Sequence, residues 1–331
     1  MRRIGFGVLA VAVVVAAFAG ATLAQNGSAS HAVSKQQYEQ WKKDLSNWGR
    51  WGKDDQLGAI NLITAVKRKQ AATLVKDGVS VSMALDADEV KSIDNPNPYE
   101  HRMMGIGADY IGVAMHGWAH THLDSLAHVN DNGVFFNGYR PDAEQVKKDN
   151  GHARNSLYNE KNGIFTRGVL LDLVKLKNAK YLEPGTPIYV EDLEAAEKME
   201  GVKVGPGDAL FIRTGVWPYR KEHGPYLRGR AGKDAGLDAT TLPWLKQRDI
   251  AILGSDHPQG VNPAPPESTV APNAVHDFML VYRGVLLFDN CDLEALASAA
   301  AERHRYEFLL TAAPLPVKGA TGSEINPIAT F

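Results

Sequence analysis

The stretch MHGWAHTHLDSLAHV, residues 115–129, holds four of the eleven histidines of the chain, together with one aspartate. Imidazole nitrogens and carboxylate oxygens are the ligand pair that suits Zn²⁺, Mn²⁺ or Fe²⁺. Alternate side chains of an extended strand share one face, and four ligand-type residues follow this spacing: His116, His120, His122 and Asp124. The stretch therefore predicts half of a metal site. The simpler alternative is a polar, partly exposed strand with chance histidines.

Apolar runs that alternate with helical segments surround this stretch. Buried strands are predicted at residues 168–174, 209–214, 250–254 and 284–288, and further strands at 79–85 and 306–312. Helices are predicted at residues 63–75, 190–199 and 238–248, while 276–282 reads as a helix or a strand. Residues 86–110 and 258–273 are predicted as loops. The alternation indicates an α/β domain.

Composition excludes several classes of function. The 331 residues are 44% hydrophobic and 22% charged, with a formal net charge of −2. A nucleic-acid interface needs a basic patch or stripe, and the sequence contains none, so no nucleic-acid partner is expected. The near-neutral charge also gives no electrostatic attraction to an anionic membrane surface.

The N-terminus has the pattern of an export signal. Arg2 and Arg3 precede an apolar run at residues 4–20, and Thr22-Leu23-Ala24 fits a small-x-small cleavage site. We therefore expect a signal peptide at 1–24, a linker at 25–40, one domain at 41–331, and a periplasmic or secreted protein without stable membrane insertion. An uncleaved membrane anchor is the alternative, because about 20 apolar residues can span a bilayer.

Late residues add further metal-ligand candidates, each with a plainer interpretation. His276 is a candidate ligand or a helix-end histidine, and Asp289 is a candidate ligand or a strand-end turn residue. Asp256 is favoured as a turn cap over a partner that orients a ligand histidine. Cys291 is the only cysteine, so it cannot form an intramolecular disulfide, and it is predicted to be a small buried residue.

Several segments carry a family resemblance. Residues 121–128, THLDSLAH, follow the second half of the pattern His-x-Gly-Thr-His-x-Asp-Ala-Pro-x-His. Further matching segments lie at 51–64 (WGKDDQLGAINLIT), 206–215 (PGDALFIRTG), 252–256 (ILGSD), 276–290 (HDFMLVYRGVLLFDN) and 313–329 (APLPVKGATGSEINPIA). Through these segments the chain resembles the cyclase family of metal-dependent hydrolases, which includes bacterial kynurenine formamidase and isatin hydrolase.

The resemblance implies a single-domain fold of the swivelling β/α/β type, with a mixed buried sheet flanked by helices. It also implies a divalent metal, Zn or Mn, and a homodimer or homotetramer. Trp118 stands where the family has its first metal histidine, so His116 or His120 takes that role or the site has one ligand fewer. The remaining ligands implied by the resemblance are His122, Asp124, His128, His276 and Asp289. Asp289 replaces a glutamate of the family, which leaves the number of metal ions open.

The implied function is a metal-dependent hydrolase. Its activated water would cleave an amide, formamide or lactam bond of a small cyclic or N-acyl substrate. His128 and His122 are the predicted catalytic residues, the general base or acid being whichever histidine is unligated. The alternatives are a periplasmic metal- or ligand-binding protein that has lost turnover, and a true cyclase or dehydratase using the same metal. The sequence lacks the Gly-x-Ser-x-Gly elbow of serine hydrolases.

Aromatic residues supply the predicted walls of the substrate pocket. The candidates are Trp48, Trp51, Phe135, Phe136 and Trp217, and the alternative for these residues is a place in the core.

Overall fold

The computed structural model describes residue 1 and residues 31–331, with the exception of Pro272. The predicted signal peptide at 1–24 lies outside the described residues, as does the first part of the predicted linker. Among the described helices, each is too short or too polar to cross a bilayer. His31–Phe331 form one structural unit.

In chain order, the strands of the described part are β1 (Ser80–Ser82), β2 (Glu100–Gly105), β3 (Ala108–Gly112), β4 (His122–Asp124), β5 (Ile164–Asp172), β6 (Pro187–Ile188), β7 (Ala209–Arg213), β8 (Gly236–Leu237), β9 (Ile252–Ser255), β10 (Leu286–Asp289), β11 (Glu307–Ala312), β12 (Gly322–Glu324) and β13 (Ile328–Thr330). The helices are α1 (Lys35–Asp44), α2 (Ala65–Ala72), α3 (Ala143–Lys148), α4 (Leu173–Leu176), α5 (Val190–Glu200), α6 (Val216–His223), α7 (Leu242–Arg248), α8 (Ala274–Phe278) and α9 (Glu294–Arg303). Short 3₁₀ turns lie at Gly58–Leu62, Phe136–Gly138, Leu157–Glu160, Gly229–Ala231 and Ala239–Thr241.

Nine of these strands form one mixed sheet that curls into a half-barrel flanked by helices, in the order β1-β13-β11-β5-β7-β9-β10-β4-β12. The four central strands, β5, β7, β9 and β10, are parallel to one another, and their neighbours on both sides run antiparallel. Parallel strands covered on both faces read as continuous apolar runs, and Leu210, Leu253 and Leu287 are accordingly fully buried. Burying such a side chain stabilises the fold by about 1.5–3 kcal/mol. The predicted α/β fold with a mixed buried sheet is confirmed.

Most predicted elements are present, with shorter bounds. The Thr64 hydroxyl accepts the N–H of Lys67 at 3.2 Å and so caps α2, as the sequence predicts. The strand predicted at 168–174 ends at Asp172, because the Asp172 carboxylate accepts the N–H of Lys175 and starts α4. The ambiguous segment 276–282 is helical: α8 continues into a π-helical turn at Met279–Arg283.

Two predictions of irregular structure are wrong. The predicted loop at 86–110 contains β2 and the start of β3, which pair as an antiparallel hairpin. Its side chains are exposed on both faces, so the sequence lacks the apolar alternation that marks a half-buried strand. The predicted linker at 25–40 gives way to α1 at Lys35, where the Ser34 side chain accepts the N–H of Gln37 as an N-cap.

Candidate metal centre

Strand β4 lies near one edge of the sheet and carries the centre of the candidate site. His122 and Asp124 are two residues apart and share a face, while the intervening Leu123 is buried on the opposite face. The antiparallel register of β4 with β10 sets His122 opposite Asp289. Sheet pairing therefore brings together two carboxylates and an imidazole from distant parts of the chain.

His116 reaches the same cluster from the bent segment that precedes β4. Its Nδ1 lies 2.9 Å from Asp124 Oδ1, and its Nε2 lies 3.0 Å from the Thr321 hydroxyl. Gly322 of β12 is paired with Asp124 of β4, and a Cβ atom at Gly322 would lie 2.7 Å from the His116 ring. Only glycine leaves space for this imidazole beside the carboxylate.

Two more histidines complete the cluster. His128 Nε2 lies 3.7 Å from Asp124 Oδ2, and the His128 ring stacks on that of His116 at 3.9 Å. His276, from α8, places its Nε2 3.3 Å from Asp124 Oδ2 and 3.6 Å from Asp289 Oδ2. Four imidazoles thus surround a buried pair of carboxylates.

Within the described residues, two triads have ligand atoms that all lie within 4.8 Å of one another: His116, Asp124 and His128, and His122, Asp124 and Asp289. Asp124 belongs to both triads. Its Oδ1 is buried and accepts no hydrogen bond of good geometry among the described residues, although His116 Nδ1 and His122 Nε2 lie 2.9 Å and 3.4 Å away. A buried carboxylate oxygen in that condition is costly unless a cation faces it. The donor set therefore fits one divalent cation, or two that share Asp124.

The tautomer of His122 supports the same conclusion. Its Nδ1 lies 2.9 Å from the backbone carbonyl of His120, and because a carbonyl can only accept, Nδ1 carries the proton. The other ring nitrogen, Nε2, faces Asp124 at 3.4 Å and Asp289 at 4.0 Å, so it is the nitrogen that would bind a cation held by these carboxylates. Metal-ligating histidines commonly donate their other N–H in this way.

His120 is the one predicted ligand that the structure does not bring into the cluster. Its ring lies 5.9 Å from that of Tyr99, and its Nε2 is buried without a partner among the described residues. The expectation of one shared face is wrong here because the strand begins only at His122, and residues 116–120 are bent. Of the two alternatives for the first ligand, the geometry favours His116.

Ionisation of the cluster follows from burial and from these contacts. Burial alone would raise the pKa of Asp124, but the His128 and His122 imidazoles hold that pKa well below its ordinary value. Burial would lower the pKa of His276, yet the carboxylates of Asp124, Asp277 and Asp289 raise it well above its ordinary value. Burial lowers the pKa of His128 to about 4, so this imidazole is neutral at pH 7.

Two supporting residues were not predicted. The Gln259 amide donates to Asp289 Oδ1 at 2.7 Å and to the Phe288 carbonyl at 3.1 Å, which fixes the carboxylate. The Asn290 amide donates to the carbonyls of Gly117 at 2.7 Å and His120 at 3.2 Å, which holds the bent segment before β4. Only the adjacency of Asn290 to Asp289 in the sequence points to this role.

A cleft of about 290 Å³ opens onto the cluster. Besides His116, His122, His128, His276 and Asp289, it is lined by Gly117, Trp118, Val129, Arg230, Pro258, Asn273 and Asp277. The five aromatic residues predicted as pocket walls do not line it. Phe136 is buried in the core, for example, and the Trp217 indole donates to the Cys291 carbonyl. The aromatic wall is instead Trp118.

The plainer interpretations of Asp256 and Cys291 are correct. Asp256 accepts the backbone N–H groups of Thr214, Gly215 and Val216 at the start of α6. Cys291 is a free, fully buried cysteine, and burial raises the pKa of its thiol well above the ordinary value.

Comparison with known proteins agrees with this architecture. The family described as "Putative cyclase" matches residues 29–260. A crystal structure described as a novel cyclase is 30% identical, with a TM-score of 0.77, and the match covers 88% of this chain and 99% of that one. No curated protein matches the chain.

Two isatin hydrolases share the fold at lower identity. Isatin hydrolase A from Labrenzia aggregata, bound to benzyl benzoate, is 16% identical, with a TM-score of 0.54 over 78% of this chain and 94% of that one. An isatin hydrolase bound to the product analogue thioisatinate is 14% identical, with a TM-score of 0.52, and the match covers 81% of this chain and 97% of that one. The family match and the 30% identical structure confirm the resemblance seen in the sequence, and the chain belongs to the cyclase family.

Proposed function

We propose that this protein is a metal-dependent hydrolase that cleaves the carbon–nitrogen bond of an amide, formamide or lactam in a small cyclic or N-acyl substrate. One observation carries the proposal: Asp124, fully buried, is shared by two His/Asp triads at the base of an open cleft. Membership of the cyclase family and a fold shared with isatin hydrolases support it.

The residues that would hold the cation are His116, His122, Asp124 and Asp289, with His276 completing the set. This mixture of imidazole and carboxylate donors suits Zn²⁺ and Mn²⁺ alike. When bound, such a cation lowers the pKa of coordinated water towards neutrality and polarises a substrate carbonyl.

His128 is the residue best placed to move protons. It lines the cleft, and its side chain is 26% exposed, whereas that of His122 is 2% exposed and has its Nδ1 proton committed to a carbonyl. With its low pKa, the neutral His128 ring can accept a proton from the attacking water. The same ring can then return that proton to the departing nitrogen. Of the two predicted catalytic histidines, we therefore assign His128 to proton transfer and His122 to the cation.

We also propose that the mature protein begins after Ala24, acts in the periplasm or outside the cell, and forms a homodimer or homotetramer. The export proposal rests on Arg2, Arg3 and the Thr22-Leu23-Ala24 pattern, and the assembly proposal on the family resemblance. N-terminal sequencing of the exported protein and light scattering of the purified protein test these two points separately.

A hydrolysis assay tests the function. Purified protein is incubated with a panel of N-formyl anilines and five- and six-membered lactams, before and after chelation, and after addition of Zn²⁺ or Mn²⁺. We expect turnover that chelation abolishes and one of the two ions restores. A lactam should give one ring-opened product heavier by one water, and an N-formyl aniline should give the aniline and formate. Asp124→Asn, which keeps the shape of the side chain, is expected to remain inactive with either ion.

The same assay separates the alternatives. Bound metal without turnover of any compound favours a binding protein that has lost catalysis. Products lighter by one water from hydroxy-carbonyl compounds favour a dehydratase or cyclase. Turnover that survives chelation in a metal-free sample contradicts the proposal.

A further inference from the structure

The cleft wall contains one permanently charged cation, Arg230, which the proposed chemistry does not use. Its side chain is 55% exposed. One guanidinium nitrogen donates to Asp277 Oδ2 at 2.7 Å, and within the described residues this is its only polar contact. A guanidinium has five N–H donors, so most of them are available to a molecule in the cleft.

The turn that carries Arg230 is held rigidly. The neighbouring Arg228 is buried and donates to the Trp118 carbonyl at 2.7 Å and to Asp234 at 3.2 Å. The N–H of Gly229 donates to the same Asp234 carboxylate at 2.6 Å. Gly229 has φ +59°, and a Cβ atom there would lie 2.0 Å from the Trp118 ring. The hydrogen bond from Arg228 and the close packing of Gly229 on the Trp118 ring hold the turn against the bent segment that leads into β4.

Arg230 is also linked to the cluster through one carboxylate. Asp277 Oδ2 binds Arg230, and Asp277 Oδ1 lies 3.4 Å from Nδ1 of His276. The Nε2 of that same imidazole faces Asp124 and Asp289. Asp277 and His276 therefore link the Arg230 guanidinium to the carboxylates that would hold the cation.

The charges of the cleft allow an anionic partner for these free donors. Asp124, Asp277 and Asp289 carry three negative charges, which a divalent cation together with Arg230 would balance. A carboxylate entering beside Arg230 then meets no net repulsion. Guanidinium binds carboxylates through paired, charge-assisted hydrogen bonds, which are about twice as strong as those to a neutral carbonyl.

We propose that Arg230 binds a carboxylate group of the substrate, so that the preferred substrates are amides or formamides that carry a carboxylate near the scissile bond. This inference rests on the proposed function for its reaction, but its binding step stands on Arg230 alone. The Trp118 ring, packed against the same turn, provides an apolar wall for a planar substrate.

Binding of benzoate and benzamide to the zinc-loaded protein tests the inference without turnover. The two probes have the same shape and differ in charge, and titration calorimetry with ligand-observed NMR measures their affinities. We expect benzoate to bind more tightly than benzamide, and Arg230→Gln to weaken benzoate about tenfold or more while benzamide changes less than twofold. Arg102→Gln, at an exposed arginine of the β2–β3 hairpin, is the control and should change neither.

Three outcomes would overturn the inference. Equal benzoate affinity in wild type and Arg230→Gln would mean that the metal alone holds the carboxylate. An equal loss for both probes, with loss of zinc, would mean that Arg230 only supports Asp277. Absence of binding of either probe to the wild type would remove the subsite. None of these depends on hydrolysis, so a protein that binds benzoate through Arg230 yet cleaves no amide would contradict the proposed function and leave this inference standing.

Discussion

Two pairs of buried carboxylates behave in opposite ways. Asp124 and Asp289 lie in the candidate metal centre, and Glu160 and Glu200 lie elsewhere, yet all four residues are at most 7% exposed. The pKa values of the two aspartates are lowered, whereas burial raises those of Glu160 to about 7 and Glu200 to about 8. Burial is common to both pairs, so the surrounding side chains make the difference.

The surroundings of Glu200 explain the contrast. It accepts one hydrogen bond, from the N–H of Asp172 at 2.7 Å, and its Oε2 has no partner among the described residues. Burial and the nearby Asp172 charge together disfavour its ionised form. Asp124 instead has imidazole nitrogens on several sides, which favour its ionised form. These neighbours keep Asp124 charged and so able to hold a cation.

The largest expected effect comes from making Asp124 neutral. With zinc at about a thousandfold excess over its dissociation constant, the wild type should gain about 4 kcal/mol in the free energy of unfolding. Asp124→Asn should lose nearly all of this gain, because the shared ligand is gone. Urea unfolding with and without zinc measures the difference, and Asp109→Asn, in the exposed pair with His101, is the matched control. If zinc raised the free energy of unfolding of Asp124→Asn as much as that of the wild type, Asp124 would not be a ligand, and the contrast between the two pairs would fail.

The second effect is the pH dependence that Glu200 imposes. Its folded-state pKa of about 8 exceeds the ordinary value of 4.5, so the folded protein binds more protons between these pH values. Its contribution to stability is therefore full below about pH 4.5 and is lost as pH rises through about 8. Glu200→Gln keeps the acceptor for Asp172 and should be the more stable protein at pH 8, by up to roughly 4 kcal/mol.

Urea unfolding of chelated protein at pH 5 and pH 8 checks this prediction. Glu194→Gln, an exposed position on the same helix α5, should keep the pH dependence of the wild type. If Glu200→Gln kept that dependence too, Glu200 would be ionised in the folded state, and the two pairs would not differ in ionisation.

The smallest effect is expected from the support of Asp289. Gln259→Leu removes the amide that holds this carboxylate, without removing a ligand. Zinc affinity should fall about 10- to 100-fold, the usual cost of losing such a partner. Competition with a chromophoric chelator measures the affinity. An unchanged value would mean that the β10 backbone alone orients Asp289.

Sequence patterns predicted the parts of the site that depend on local spacing. His122 and Asp124 share a face because they lie two residues apart on one short strand. Asp289 follows an apolar run, and in the structure it is the last residue of the buried strand β10. The same spacing argument failed for His120. Alternation holds only while the backbone stays extended, and the backbone is bent at residues 116–120. Gly117 is the one residue there of a type that often marks such an irregularity.

The rest of the site depends on long-range contacts, which no local sequence pattern predicts. Gln259, Asn290 and Arg230 reach the site through loops whose course depends on the whole sheet. Likewise, the β2–β3 hairpin was missed because its exposed strands pack on no core face, so their sequence carries no apolar periodicity.

The most direct test of the metal centre is the metal content per chain, measured by elemental analysis of the purified protein. The wild type and His101→Ala, an exposed histidine of the β2–β3 hairpin, should hold zinc or manganese in stoichiometric amount. His122→Ala and Asp124→Ala, each shown to be folded by circular dichroism, should lose it. Metal retained at the wild-type level in both variants, or none bound by the wild type even after reconstitution, would contradict the account.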